Sequence, residues 1–151
     1  MKKILLVDDD DYKIANIKMV IEDETEYKIC IENSLNSGLR RIMKEKFDLI
    51  LLDMSMPTFQ KDESNNFNSF GGIDFLKEMQ RKKNQTPVII VTQYEIFGEG
   101  ESRKTSEMID EECKNSFENY VEIVIYTSTK NTWKEKLLSA IDETNGCCTN
   151  S

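Results

Sequence analysis

Asp8 and Asp9, Asp53 and Thr92 stand directly after apolar runs of strand length, and Lys130 follows another such run after three further residues. The runs concerned are Ile4 to Val7, Phe47 to Leu52, Val88 to Val91 and Val121 to Tyr126. If the first and third runs pair as neighbouring strands, the carboxylates of Asp8, Asp9 and Asp53 converge at one edge of a sheet. Two like charges about 4 Å apart repel by roughly 4 kcal/mol at an effective dielectric of about 20, so three carboxylates in one pocket call for a cation. Oxygen donors with no histidine or thiolate nearby select magnesium, or manganese, over zinc. A helix N-terminus alone would account for Asp10 and Asp11, because the helix dipole favours acidic residues there, but not for Asp53 on another strand. The Thr92 hydroxyl is placed to donate to an anionic oxygen beside such a metal. The Lys130 ammonium could reach the same anion as a point charge, and an ordinary exposed loop lysine is the alternative reading of it.

These residues need a scaffold that brings several strand ends together. Strand-length runs also occur from Tyr27 to Ile31, and most of the runs are continuous rather than alternating, as expected of strands covered on both faces. Helical spacing separates them. Ile14, Ile17, Val20 and Ile21 share a face, as do Leu35, Leu39, Ile42 and Met43, then Phe75, Leu76 and Met79, and finally Trp133, Leu137, Leu138 and Ile141. Thr132 and Glu135 are spaced as a capping box, and Asn145-Gly146 reads as a helix stop. The stretch from Ser102 to Asn119 is more polar, with Met108, Ile109 and Phe117 as its anchors, and reads as a weaker helix. A βα unit repeated five times predicts a parallel sheet with right-handed crossovers, helices on both faces and a ligand site at the carboxyl ends of the strands.

Composition narrows the chemistry. The 151 residues suit one domain over 1–151, and the two irregular stretches are an insertion at about 58–70 and a long region at about 93–120 between strands 4 and 5. There is no histidine, which removes a Ser-His-Asp or Cys-His nucleophile, a His-ligated zinc and a phosphohistidine donor. The excess of 28 acidic over 20 basic side chains gives a net charge of -8, so nucleic acid is not the expected partner. Cys30, Cys113, Cys147 and Cys148 show no CxxC spacing and read as reduced thiols without a role. Neither a signal peptide nor a membrane span is legible, so the expected compartment is the cytoplasm.

Lys3-Ile-Leu-Leu-Val-Asp-Asp, Asp48-Leu-Ile-Leu-Leu-Asp-Met-Ser-Met-Pro57 and Val88-Ile-Ile-Val-Thr92, in this order and spacing, resemble the response-regulator receiver domain of two-component signalling. The resemblance covers essentially the whole chain. It implies a flavodoxin-like (βα)5 three-layer α/β sandwich with strand order 2-1-3-4-5. It further implies that Asp53 is the phospho-acceptor, that Asp9 binds magnesium directly and Asp8 through water, that the Ser55 carbonyl is a further ligand, and that Thr92 is the switch hydroxyl. The expected partners are a sensor histidine kinase or phosphotransfer protein and, for output, a downstream protein or a second copy of the chain.

This sequence departs from the family pattern in three places. Gly71-Gly72 follows Pro57 only after the insertion; the Lys-Pro after strand 5 is absent, Lys130 preceding Asn131; and the stretch from Thr92 to strand 5 is long. The alternative reading is a pseudo-receiver, an interaction module not switched by phosphate. A phosphohydrolase with an Asp nucleophile is disfavoured, because the acid/base Asp expected two residues on is replaced by Ser55.

Overall fold

The computed structural model describes residues 2–57, 67–68, 70–98 and 100–149. Five parallel strands, β1 (Lys3–Val7), β2 (Lys28–Glu32), β3 (Leu49–Leu52), β4 (Val88–Thr92) and β5 (Tyr120–Ile125), form one sheet in the order β2-β1-β3-β4-β5. The helices are α1 (Asp11–Glu24), α2 (Leu35–Lys44), α3 (Gly71–Arg81), α4 (Ser106–Ser116) and α5 (Thr132–Thr149). This is the three-layer α/β arrangement expected from the sequence.

The layers follow from alternation along continuously apolar strands, whose successive side chains point to opposite faces. Leu5, Val7, Ile50, Leu52, Val88 and Ile90 face α2, α3 and α4, whereas Ile4, Leu6, Leu49, Leu51, Ile89 and Val91 face α1 and α5. Helix entry is set locally. Asp10, Ser34 and Thr105 cap α1, α2 and α4 by accepting from the backbone N–H groups of Lys13, Ser37 and Met108.

Three local expectations are corrected. Met43 was expected on the apolar face of α2, yet it is exposed; it lies about 100° beyond Ile42 around the helix, past the stripe that meets the sheet. Asn145-Gly146 does not stop α5, which continues to Thr149; an isolated glycine in a helix costs only about 1 kcal/mol. The helix expected from Ser102 to Asn119 starts at Ser106, because Ile96–Phe97 and Lys104–Thr105 pair as an antiparallel ribbon. That ribbon turns through Gly98 and Gly100, both at positive φ, a conformation glycine adopts without strain.

Of the insertion expected at 58–70, residues 58–66 and 69 lie outside the described residues, Phe59 among them. Phe67–Asn68 pair antiparallel with Met56–Pro57, directly after Ser55. Cys113 is a core residue whose thiol is pushed up to about 12 by burial, as suits packing rather than reactivity.

Candidate phosphoryl and metal site

The pairing of β1 with β3 brings Val7 opposite Leu52, so the next residue of each strand, Asp8 and Asp53, emerges at the same point of the carboxyl edge. The backbone holds both. Asp53 N–H donates to the Val7 carbonyl at 3.0 Å, Asp8 N–H donates to the Glu32 carbonyl at 3.0 Å, and Asn33 Nδ2 donates to the Asp8 carbonyl at 3.0 Å. Asp8, Asp9 and Asp53 each offer one carboxylate oxygen, all within 4.8 Å of one another. Asp8 and Asp53 are buried and Asp9 is half-buried. Ser55 is buried two residues past Asp53. Asp10 turns away: Oδ1 accepts from the Lys13 N–H in the helix cap and Oδ2 from Gln93 Nε2. Asp11 is exposed on the first turn of α1.

A cation of the protein's own stands in this pocket. Lys13, on α1, is 0% exposed; its Nζ lies 2.7 Å from Asp8 Oδ2 and 3.4 Å from Asp53 Oδ1. Its hydrogen bond is directed to the Val91 carbonyl at 2.6 Å. Asp8 Oδ2 and Asp53 Oδ1 are both ion-paired with this ammonium, which balances one of the pocket's negative charges. Three carboxylates facing one ammonium leave negative charge in a largely buried pocket, which a bound cation would offset. The donor set, all hard oxygens, fits a magnesium-type ion. Burial raises the Asp53 carboxyl above the ordinary carboxylate range; the Lys13 charge opposes that rise and the Asp8 charge adds to it.

Thr92 ends β4 with no exposed surface, and its Oγ1 accepts from the Tyr94 N–H at 3.3 Å. Lys130 is exposed in the loop between β5 and α5; among the described residues the lysine in contact with Asp53 is Lys13, from α1. Tyr126, just past β5, packs with the α1 and α5 layer: Asn16 Nδ2 lies 2.6 Å from its hydroxyl, and its ring is tilted 55° against Trp133 with centroids 4.8 Å apart.

Sequence reasoning passed over Lys13. The signal was there, because Lys13 is four residues before Ile17 and seven before Val20, on the buried stripe of α1 and one turn beyond the aspartates. A lysine in such a stripe must find a carboxylate or be expelled.

Gly72 fits the same edge by its lack of a side chain. Its N–H donates to the Met54 carbonyl at 2.9 Å, and a Cβ there would lie 3.1 Å from Met54 Cα and 3.2 Å from the Asp53 carbonyl oxygen. Backbone cannot yield as a side-chain tip can, so Gly72→Ala is expected to lower stability by about 1–3 kcal/mol. Urea unfolding measures it; a loss below about 0.5 kcal/mol would show that α3 is free to slide.

The response regulator receiver domain pattern matches residues 4–101, and the chain belongs to that family, whose members are switches of two-component signalling rather than classical enzymes. Among curated relatives it is similar to the Detocs response regulatory protein DtcB of Enterobacter cloacae, 32% identical over 148 residues, 93% of this chain and 99% of that one. Among solved structures it resembles a receiver domain protein from Clostridium thermocellum, with a TM-score of 0.68, 21% identity, and 99% and 98% of the two chains covered. It also resembles the response regulator TrrA of Thermotoga maritima, solved in complex with Mg(2+)-BeF, with a TM-score of 0.60, 21% identity, and 93% and 99% covered. Among the described residues, no helix is long and apolar enough to cross a membrane.

Proposed function

We propose that the protein is a phosphorylation-dependent receiver: Asp53 accepts a phosphoryl group from a sensor histidine kinase or phosphotransfer protein, and the phosphorylated state is read through protein contacts. The observation that carries this is the convergence of Asp8, Asp9 and Asp53 at the ends of two paired central strands. The beryllofluoride complex of the similar Thermotoga protein supports it by analogy of fold.

In the reaction, an ionised Asp53 oxygen supplies an electron pair to phosphorus. The new O–P bond forms as the bond from phosphorus to the donor's nitrogen or oxygen breaks, and that electron pair leaves with the donor. Asp8, Asp9, Asp53 and the Ser55 carbonyl would hold magnesium, which supplies neutralising charge to the phosphoryl oxygens. The Thr92 hydroxyl, at the end of the neighbouring strand, is positioned to donate to one of those oxygens. Water attack on phosphorus then returns Asp53 to its carboxylate and releases inorganic phosphate.

The added charge of roughly -2 is what a partner reads. Tyr94, Ile96 and Met108 are exposed on the segment leaving β4 and on α4, close in sequence to Thr92, and provide apolar surface for a downstream protein or a second copy. Incubation with acetyl phosphate and magnesium is expected to add one phosphoryl group by intact mass. A chelator should prevent the gain, and uptake that ignores the chelator would count against the site.

A further inference from the structure

We infer that Lys13, on the first helix, is the phosphoryl-binding ammonium of this receiver, in place of a lysine from the loop after β5. The inference rests on the phosphorylation of Asp53 proposed above. Lys13 is completely buried, and its Nζ touches all three central strand ends: Asp8 after β1, Asp53 after β3 and the carbonyl of Val91 in β4. Such a placement loses the hydration of an ammonium and is sustained only by the charges facing it. The contact to Asp53, at 3.4 Å, is the longest of the three. A phosphoryl group on Asp53 puts three more acceptor oxygens two bonds beyond the carboxylate oxygen, next to where Nζ already stands. The ammonium can therefore keep its Val91 bond and turn a second N–H toward a phosphoryl oxygen. Lys130 offers no such geometry, being exposed.

The position of this cation has a consequence for how the site is wired. Lys13 and Asn16 are one turn apart on α1, and Asn16 Nδ2 is 2.6 Å from the hydroxyl of Tyr126, whose ring rests on Trp133 of α5. A lysine that follows the phosphoryl group thus acts on the α1 and α5 layer.

The test follows lysine side chains by NMR in the full chain carrying 13C-labelled lysine, with magnesium, before and after beryllofluoride. The Lys13 signal is identified by its loss in Lys13→Arg, and the Lys130 signal by its loss in Lys130→Ala. The expected result is a shift of the Lys13 signal beyond its line width with the Lys130 signal unmoved. In parallel, Lys13→Met should slow phosphoryl uptake from acetyl phosphate by about 100-fold, the scale of losing one charge-stabilising donor. Lys130→Ala should stay within roughly twofold, as for a surface substitution. Thermal unfolding in magnesium separates misfolding of Lys13→Met from lost chemistry, and the NMR arm needs no folded Lys13→Met variant. Phosphoryl uptake by the wild type with a stationary Lys13 signal would overturn the assignment and leave the phosphorylation reading standing. Absence of both uptake and any beryllofluoride response in the wild type would overturn the phosphorylation reading, and the role of Lys13 with it.

Discussion

Asp53→Asn is expected to lose phosphoryl uptake from acetyl phosphate by about a thousandfold or more, because an amide offers no anionic oxygen to phosphorus and no other group can take over the role of a removed nucleophile. The fold should survive. Asp53 and Asp8 repel one another in a buried pocket with the Lys13 ammonium between them, so neutralising Asp53 leaves Lys13 still paired with Asp8 at 2.7 Å. Thermal stability without magnesium should be unchanged or higher, and the response of stability to magnesium should shrink. Intact mass and thermal unfolding on the same sample check both. Uptake that persists unchanged in Asp53→Asn would move the acceptor elsewhere. A wild type that takes up no phosphoryl group would favour the pseudo-receiver reading.

Magnesium affinity should distinguish neighbours in the acidic run. A divalent ion that loses one adjoining carboxylate loses several kcal/mol of attraction at an effective dielectric of about 20, so Asp9→Asn should weaken binding by at least about 100-fold. Asp10→Asn should weaken it by less than about fivefold. The Asp10 carboxylate is committed to the α1 cap and to Gln93, and asparagine caps helices about as well as aspartate. Titration calorimetry, or the fluorescence of Trp133, buried against Tyr126, provides the measurement. Equal losses in the two variants would mean that the acidic run meets the ion in a different register, with Asp10 among its ligands.

Much of the architecture is a matter of local pattern. Strands covered on both faces write continuous apolar runs such as Leu49-Ile-Leu-Leu52, and a helix against a sheet writes a stripe such as Ile14, Ile17, Val20 and Ile21, so the order and type of elements were legible. The meeting of Asp8 with Asp53 was legible too, since each directly follows a central strand and parallel neighbours end at a common edge. The edges of the patterns were less so. Met43 sits one step past a stripe whose width depends on how α2 lies on the sheet, and Gly146 sits in a helix where a stop signal costs too little to act alone.

The lysine choice shows the limit most clearly. Read along the chain, Lys130 is the natural candidate because it follows the fifth strand, and Lys13 is one more charged residue on a helix. Across the fold, α1 packs so that a flexible four-carbon side chain reaches under three strand ends at once, whereas the loop after β5 leaves Lys130 in solvent. The sequence by itself determined the alternation of elements, the two-faced core and the acidic edge, because each is set by the spacing of residues within one segment. Only the tertiary structure decided which ammonium enters the acidic pocket and which layer Tyr126 joins, because both depend on the distances between segments; the stripe of α1 marks Lys13 for burial but not what it meets there.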